Sequence, residues 1–361
     1  MALSEAVDFL DGKRRPVKVG DRAKMRGNIP YYGASGIVDY VNAYLFDEDL
    51  ILLGEDGENI LSRVVPLAFK ITGKSWVNNH AHVLRPKASF DIDFLTAYLE
   101  SLDYAGLNSG TAQPKLNKQS CSTIRVVKPP LVEQRRIAAT LRDTDDLIAK
   151  LEQMIAKKQA IKQGLMQQLL TRRTRLPAFH EEWVTAPLKE FLPLQRGFDL
   201  PASQVRPGPY PVVYSNGVAR HHAQAMVRGP GVVTGRSGTI GKVHYIDEDY
   251  WPHNTSLWVT SFARVEPLFA YYFLSYLGLE RFASGSGVPT FNRNDAHLFP
   301  ITLPTDRGEQ AAIAAILRDA DAELSAFTKR LAKAREVKRG MLQQLLTGRT
   351  RLPVPVMESA A

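Results

Sequence analysis

Residues 133–177 read EQRRIAATLRDTDDLIAKLEQMIAKKQAIKQGLMQQLLTRRTRLP, and residues 309–353 read EQAAIAAILRDADAELSAFTKRLAKAREVKRGMLQQLLTGRTRLP. The two stretches align without a gap at an offset of 176, and 23 of their 45 paired positions are identical. Each copy follows roughly 130 residues of different sequence. Internal repeats indicate architecture before any other feature does. Two copies of this length predict a chain with two-fold pseudosymmetry and not a solenoid.

The repeated stretch has the apolar spacing of a long amphipathic helix. Pro129-Pro130 precedes the first copy and Gly348 follows the last periodic turn of the second, as is typical of a helix start and a helix end. A helix of about 38 residues is about 57 Å long, and a small domain cannot cover so long and narrow an apolar face. We therefore expect the two copies to pack as an antiparallel coiled coil, with two independent amphipathic helices as the alternative. The apolar positions of the first copy recur at sums of three and four: Ile137, Leu141, Ile148, Leu151, Ile155, Ile161, Leu165 and Leu169.

The segments that precede the two copies share landmarks in the same order. Residues 29–36 resemble residues 210–217, and residues 51–57 parallel residues 232–238. Both segments contain short β-branched and aromatic runs separated by Gly, Pro and Asn, which is typical of strands and turns. One helix is predicted near the end of each segment, at residues 90–102 and 267–282. The sequence thus predicts an α+β fold class, with two related domains that have diverged on their surfaces.

Composition excludes several classes of protein. The chain has 361 residues, a formal net charge of +9 and an isoelectric point of about 9.5, which favours nucleic acid or another acidic partner. Cys121 is the only cysteine, which excludes a disulfide framework and a cysteine metal cluster. Residues 1–11 lack the apolar core of a signal peptide, and no run approaches the ~18 apolar residues of a membrane helix. We expect a soluble, cytoplasmic protein without membrane association.

The catalytic and cofactor motifs that the sequence resembles are all incomplete. Lys128-Pro129-Pro130-Leu131 has the double proline of an amino-methyltransferase loop, but it lacks the preceding Asn or Asp and the following aromatic residue. Residues 235–242 look like a phosphate loop, but the glycine spacing is one residue too long and Val243 replaces Ser or Thr. The histidines have no metal-ligand spacing. We expect no catalytic residue, no metal and no cofactor.

The start and the end of the repeat resemble those of the specificity subunit of a type I restriction-modification system, and the likeness extends over the whole chain. Residues 129–134, Pro-Pro-Leu-Val-Glu-Gln, match the family's Pro-Pro-x-x-Glu-Gln start of a conserved helix. The helix exit at residues 164–171, followed by Arg175-Leu176-Pro177, is equally typical. Both motifs occur twice, although the second start, residues 304–310, has one proline where the first has two.

The resemblance implies two target recognition domains, each reading one half of a split DNA sequence, and two conserved helices that set the spacer and dock other subunits. The implied partners are double-stranded DNA, two methyltransferase (modification) subunits, and restriction subunits with endonuclease and translocase activity. The chain itself would be a non-catalytic specificity subunit. A stand-alone DNA methyltransferase or nuclease and a structural coiled-coil adaptor are the alternatives. The implied boundaries are 1–130 for the first recognition domain, 131–175 for the first conserved helix, 176–306 for the second recognition domain, 307–350 for the second conserved helix and 351–361 for a C-terminal tail.

Polar loop residues that follow the same landmarks in both halves are the candidate DNA contacts. Arg can hold guanine by two hydrogen bonds, Asn or Gln can hold adenine, and Lys can contact phosphate. Asn117 and Asn292 suit a structural role equally well, because both halves share them. The arginines that follow each helix, among them Arg175 and Arg351, are expected to contact phosphate or a partner subunit. The candidates are Lys74, Asn78, His80, Gln113, Lys115, Asn117 and Lys118 in the first half, and Arg236, Ser237, Lys242, His253, Asn292 and Arg293 in the second.

Overall fold

The computed structural model describes residues 1–110, 112–285 and 290–352. It divides into two compact units: unit 1 comprises Met1–Leu151 together with the residues from Arg330 onward, and unit 2 comprises Glu152–Lys329. The predicted C-terminal tail, residues 351–361, lies outside the described residues from Pro353 on.

Unit 1 has a mixed α/β fold. Its strands are β1 (Val7–Phe9), β2 (Arg26–Gly33), β3 (Gly36–Val41), β4 (Phe46–Asp47), β5 (Leu50–Gly54), β6 (Ala68–Ile71), β7 (Lys74–Val77) and β8 (Ala81–Pro86). Its helices are α1 (Leu3–Ala6), α2 (Val19–Arg22), α3 (Asn59–Ser62), α4 (Ile92–Glu100), α5 (Lys118–Ser122) and the first part of the long helix α6 (Leu131–Leu170).

The strands of unit 1 form two sheets, in the orders β1-β8-β5-β6 and β3-β2-β7-β4. Strand β5 is buried at every residue, because successive side chains of a strand point to opposite faces and both faces of this one are covered. Ile51 and Leu53 pack into a cluster with Phe94 of α4, whereas Leu50 and Leu52 pack into a second cluster with Phe46, Val77 and Val83. A continuous apolar run in the sequence thus becomes the central strand between two cores.

Unit 2 has a second mixed α/β fold. Its strands are β9 (Trp183–Pro187), β10 (Leu194–Arg196), β11 (Tyr210–Tyr214), β12 (Gly217–His222), β13 (Gly231–Gly235), β14 (Val243–Ile246), β15 (Trp251–Pro252), β16 (Ser256–Val259), β17 (Ala283–Ser284), β18 (Thr290–Phe291) and β19 (Pro300–Pro304). Its helices are α7 (Leu188–Phe191), α8 (Pro267–Leu277), α9 (Arg293–Leu298) and the first part of the long helix α10 (Arg307–Leu345).

The main sheet of unit 2 repeats the main sheet of unit 1. Its order, β10-β16-β13-β14, corresponds strand for strand to β1-β8-β5-β6. Strand β13 is buried throughout, and Val232 and Val233 face different apolar clusters, as alternate residues of β5 do. In a further sheet β11 runs parallel to β15, as β2 runs parallel to β7 in unit 1. The sequence prediction of two related α+β folds is confirmed.

The shorter helices begin and end where capping residues allow. Helix α4 starts after Asp91, whose carboxylate accepts a hydrogen bond from the Phe94 amide, so it is shorter than the predicted 90–102. Helix α8 starts after Glu266, which caps the Phe269 amide in the same way. It ends before Gly278, where φ is +70°, and a short 3-10 turn completes the predicted range 267–282.

The repeated stretches form helices of 40 and 39 residues, α6 and α10. In unit 1 the Lys338 ammonium donates to Asp145, and the Thr144 hydroxyl lies 3.6 Å from the sulfur of Met341. Toward higher residue numbers on α6, the contacted residues of α10 thus have lower numbers.

The same order holds in unit 2. The ammonium of Lys158 lies 2.7 Å from a carboxylate oxygen of Glu323, and that of Lys162 lies 2.5 Å from Asp321. The two helices therefore run antiparallel in each unit, and the predicted antiparallel coiled coil is confirmed.

The repeated Glu-Gln pair at the start of each long helix anchors the helix by buried hydrogen bonds. In unit 1 the Gln134 side chain accepts from the Asp91 amide (2.8 Å) and donates to the Pro129 carbonyl (2.8 Å). The Glu133 carboxylate, 1% exposed, accepts two hydrogen bonds from the guanidinium of Arg351. This hydrogen bond holds the pKa of Glu133 below its usual value.

Unit 2 repeats this arrangement. The Gln310 side chain accepts from the Glu266 amide (2.6 Å) and donates to the Pro304 carbonyl (2.8 Å). The guanidinium of Arg175 binds both carboxylate oxygens of Glu309, at 3.1 and 3.0 Å. Internal ion pairs therefore account for the repetition of Arg175 and Arg351, for which a phosphate or partner contact was expected.

Candidate nucleic-acid interface

In unit 1, two backbone hydrogen bonds join three loops that are far apart in the sequence. The Glu55 amide, directly after β5, donates to the His80 carbonyl (2.8 Å), in the loop between β7 and β8. The Leu116 amide, in the segment before α5, donates to the Glu55 carbonyl (2.7 Å). We call this arrangement the three-loop junction of unit 1. It gathers polar side chains from three loops at one end of the central strand β5.

Unit 2 contains the equivalent three-loop junction. The Arg236 amide, directly after β13, donates to the Thr255 carbonyl (2.9 Å), in the loop between β15 and β16. The Phe291 amide, in the segment before α9, donates to the Arg236 carbonyl (2.8 Å). Backbone hydrogen bonds require no particular side chain, so one backbone geometry can present different side chains in the two units. This explains why the order of landmarks is shared while most residues differ.

The junction of unit 1 borders a hollow of about 490 Å³, which we call the unit 1 hollow. The predicted residues Asn78 and His80 line it, together with Asp56, Ser35 and Arg22. A ring nitrogen of His80 lies 2.9 Å from the Asp56 carboxylate. Asn78 is buried, and its side-chain oxygen accepts a hydrogen bond from the His80 amide (2.8 Å). The hollow is therefore lined by both hydrogen-bond donors and hydrogen-bond acceptors.

The other candidates of unit 1 differ in their surroundings. The ammonium of Lys115 lies 3.4 Å from Glu55 at the junction, and Gln113 is exposed in the same segment. Asn117 caps α5 by accepting from the Ser120 amide (2.8 Å), which gives it a structural role. Lys118 lies over the ring of Phe9, at 5.4 Å. Lys74 stacks on Tyr44 at the opposite end of β7 from Asn78, apart from the junction.

The junction of unit 2 borders a hollow of about 510 Å³, which we call the unit 2 hollow. Three predicted residues, Arg236, Asn292 and Arg293, line it. Ser237 forms a backbone bridge with Thr290, which also lines the hollow. Asn292 caps α9, because its side-chain oxygen accepts from the Asn294 amide (3.1 Å). The side-chain nitrogen of Asn292 donates to Asp295 (2.7 Å), so hydrogen bonds fix both its oxygen and its nitrogen.

Two further candidates of unit 2 lie beside these loops. The Lys242 ammonium is exposed and donates to the Asn216 carbonyl (3.4 Å). The ring of His253 stacks on Tyr214, with 4.2 Å between the ring centroids, and one of its nitrogens lies 3.0 Å from the Thr255 hydroxyl. Burial lowers the pKa of His253, so its imidazole is neutral at neutral pH. It therefore presents an aromatic face and not a positive charge.

Two arginines that the sequence analysis did not select line the hollows. Arg22 lies in the unit 1 hollow, where it binds Asp39 (2.9 Å) and stacks on Tyr31. Arg196 lies in the unit 2 hollow, because β10 pairs with β16 and thereby places Arg196 opposite Leu257. Neither arginine follows a landmark shared by the two halves, so only contacts between segments that are distant in the sequence reveal them.

Within residues 1–110, 112–285 and 290–352, no group of three or more His, Cys, Asp or Glu side chains could hold a metal ion. Over the same residues, no helix combines the length and the apolar character needed to cross a membrane.

Comparison with known families identifies the sequence pattern. Residues 1–163 and residues 180–336 both match the family described as the type I restriction modification DNA specificity domain. The two matched stretches contain the two three-loop junctions, one each. Together they cover most of the chain.

Curated relatives match over part of their length. A putative type I restriction enzyme specificity subunit of Haemophilus influenzae is 34% identical over 139 residues, which are 38% of this chain and 35% of the relative. The type I restriction enzyme MjaVIII specificity subunit of Methanocaldococcus jannaschii is 27% identical over 217 residues, 54% of this chain and 49% of the relative. The chain thus spans half or less of the length of each of these two relatives.

Solved structures share the fold over nearly the whole chain. The S subunit of a type I restriction-modification system from M. genitalium has a TM-score of 0.68 at 15% identity and covers 96% of this chain and 95% of its own. The HsdS subunit from Thermoanaerobacter tengcongensis has a TM-score of 0.51 at 16% identity, covering 97% and 96%. At these identities the likeness establishes the fold.

Proposed function

The chain belongs to the family of type I restriction-modification DNA specificity domains, whose members are non-catalytic DNA-recognition components, and from this premise we propose that it directs a type I restriction-modification complex to a bipartite DNA site. One half of the site is read by residues 1–130 and the other by residues 176–306. The two long helices, within 131–175 and 307–350, link these recognition domains and set the spacer. The complex acts on DNA in the cytoplasm.

The observation that carries the proposal is the pair of three-loop junctions. One backbone arrangement occurs twice, after β5 and after β13, and each copy presents a different set of polar side chains. Sequence-specific readers need a constant scaffold that sets register on the duplex and variable groups that reach base edges. Two such readers in one chain fit two half-sites of unrelated sequence. The candidate residues at the junctions supply the base contacts, and the basic balance of the chain supplies phosphate contacts.

The proposed partners follow from the pseudosymmetry. The repeated helices carry the same Glu-Gln start and the same exit twice, so any surface that binds a partner subunit on one helix has a counterpart on the other. We propose two methyltransferase subunits, one for each copy, together with restriction subunits. A solved structure that shares the fold at a TM-score of 0.57 is described as showing complex assembly and conformational transition of the type I R-M system. A stand-alone methyltransferase or nuclease and a structural adaptor are the alternatives.

An exchange of domains tests the proposal. Residues 188–303 would be replaced by the matching domain of a relative, and the hybrid would be expressed with the methyltransferase subunits of its own system in a host without other methylation. Sequencing that detects methylated bases would then report the recognised motif. We expect one half of the motif to change while the other half and the bipartite form persist. A hybrid that alters both halves, or a wild-type chain that yields no motif, rejects the proposed function.

A matched exchange serves as a control for the helices. Replacing residues 131–170 by the corresponding helix of the same relative should leave both half-sites unchanged, because the base-reading loops stay in place. A change of either half-site in that control would indicate that the helix, and not the loops, reads the DNA sequence.

A further inference from the structure

The two junctions present side chains of opposite charge at equivalent backbone positions. Glu55 and Arg236 both follow the last residue of the central strand, and both make the same pair of backbone hydrogen bonds. The strands that precede them pair alike: Gly54 lies opposite Ala81, and Gly235 lies opposite Ser256. An acid in one unit therefore stands where the other unit has an arginine.

A second position shows the same inversion. In unit 1, Phe9 pairs with Leu84, and Asp11, in the 3-10 turn that follows β1, lies beside His82, with 2.8 Å between carboxylate and ring. In unit 2, Arg196 pairs with Leu257 in the corresponding strands. His82 and Leu257 are equivalent, since Leu53 lies opposite His82 as Thr234 lies opposite Leu257, and Asp11 and Arg196 each lie beside one of these two residues. Both inverted positions border the junction.

The acids of unit 1 are neutralised inside the protein. Glu55 binds Arg14 at 2.6 Å and Lys115 at 3.4 Å, and its side chain is 13% exposed. Asp11 binds His82, and its side chain is 10% exposed. These carboxylates are therefore occupied by cations of their own unit and are not offered to a ligand.

The arginines of unit 2 are not neutralised in this way. Arg196 has one acidic neighbour, Asp199, at 3.5 Å, and both side chains are more than half exposed, so water screens the attraction. Among the residues that the structure describes, the guanidinium groups of Arg236 and Arg293 make no hydrogen bond and no ion pair. All three arginines line the unit 2 hollow. The hollow therefore presents three guanidinium groups to whatever enters it.

The charge inversion distinguishes base reading from phosphate binding. Both half-sites have the same phosphate backbone, and phosphate contacts come from basic or neutral donor groups, so a position that contacts phosphate in both units would not be acidic in one of them. A position that reads bases is free to differ, because the two half-sites differ. A guanidinium group matches the O6 and N7 acceptors of guanine in the major groove by two hydrogen bonds. A lysine can donate to the same two acceptors, but it lacks the planar pair of donors that fixes their geometry.

We propose that the unit 2 hollow is a guanine-reading site, in which Arg236 holds O6 and N7 of one guanine and Arg196 and Arg293 contact the flanking positions. The equivalent place in unit 1, occupied by the neutralised Glu55, does not read guanine. The inference rests on the proposed function, because it names the base that one recognition domain selects.

The test compares motifs written by wild-type and variant complexes. The full chain, as wild type, Arg236→Gln or Arg236→Lys, would be expressed with the methyltransferase subunits of its system, and methylated sites would be mapped. We expect one guanine in one half-site to become degenerate in the glutamine variant, with discrimination against other bases falling roughly ten- to hundredfold, and the lysine variant to lose part of that discrimination. The other half-site should stay unchanged. The glutamine keeps most of the side-chain length, and the lysine keeps the charge. If the glutamine variant does not form a complex, the base preference of the lysine variant tests the inference.

Arg228→Gln is the matched control, because Arg228 is exposed and lies at the opposite end of β13 from Arg236. It removes the same charge and should leave the motif intact. Variants of Arg236 that keep every base of the motif overturn the inference. So does a uniform drop of methylation at all sites without a change of base preference, which indicates a phosphate contact. If the wild-type complex methylates no bipartite motif, the proposed function itself is rejected. That outcome differs from a variant whose motif is unchanged, which rejects only the guanine-reading site.

Discussion

His82 lies in unit 1 with 1% of its side chain exposed, and both of its ring nitrogens face acceptors. One nitrogen lies 2.8 Å from the Asp11 carboxylate and the other 2.9 Å from the Leu116 carbonyl. Both nitrogens must carry a proton to donate these bonds, so the ring is an imidazolium. Burial alone would lower the pKa of His82, but the interactions with Asp11 and Cys121 together outweigh burial and raise the pKa to about 10.

The substitution Asp11→Asn tests this arrangement, because it keeps the shape and an acceptor but removes the charge. The buried cation then loses the nearer of its two carboxylate neighbours and keeps Glu55 at 3.8 Å, and removing one member of such a pair costs up to about 3–5 kcal/mol. The folded pKa of about 10 exceeds the unfolded value of 6.5, so the stabilisation is complete below pH 6.5 and is lost as the pH rises through about 10. We expect the difference in unfolding free energy between wild type and variant to be largest near pH 6 and small near pH 10.

Hydrogen exchange in urea, followed by mass spectrometry on peptides from β8 and the segment before α5, measures the free energy of opening in unit 1 at each pH. Asp8→Asn is the control, because Asp8 is exposed on the same segment and its loss should change little at any pH. The Leu116 carbonyl accepts from His82, and the Leu116 amide donates to the Glu55 carbonyl. The same variant should therefore loosen the three-loop junction and weaken selection of the first half-site. A pH-independent difference between wild type and Asp11→Asn would refute the assignment of an imidazolium.

Three further outcomes are expected. Isothermal calorimetry of the purified chain should detect no binding of S-adenosylmethionine, and micromolar binding would contradict the absence of a cofactor loop in the sequence. Glu309→Gln should lower the urea stability of unit 2 by about 1–3 kcal/mol, because a buried carboxylate loses its charged hydrogen bonds to Arg175; Asp319→Asn, on the exposed face of the same helix, should not. Inserting four residues after Lys157 adds about 6 Å of helix. It should therefore lengthen the spacer in the methylation map by one or two base pairs at ~3.4 Å each, whereas an active variant with an unchanged spacer would reject a ruler role for the helices.

Much of the fold was predictable from local patterns. The steps of three and four in residues 133–177 and 309–353 predict α6 and α10, because a helix brings such residues onto one face. The length of that face then requires a partner helix, which is how the antiparallel pair could be inferred. The apolar run at residues 50–54 predicts a strand, but not that its two faces belong to different cores.

The candidate site was predictable only in part. Residues after shared landmarks, such as Arg236 and Asn292, could be selected because both halves place a turn there. That Asn292 caps α9, and that burial keeps His253 neutral, depends on neighbours outside those turns. The candidate DNA contacts stay predictions.

Repeats and periodicity in the amino-acid sequence encode two related halves, two long helices and strands separated by glycine and proline, and no complete catalytic motif can be read from it. Which distant residues contact one another depends on the three-dimensional fold. The Glu55 carbonyl accepts from Leu116, Asp11 binds His82, and Arg175 binds Glu309 across 134 positions of chain. Such contacts form because folded sheets and helices bring remote segments within hydrogen-bonding distance. No local spacing records that distance, and so the inversion of charge between the two junctions becomes visible only in three dimensions.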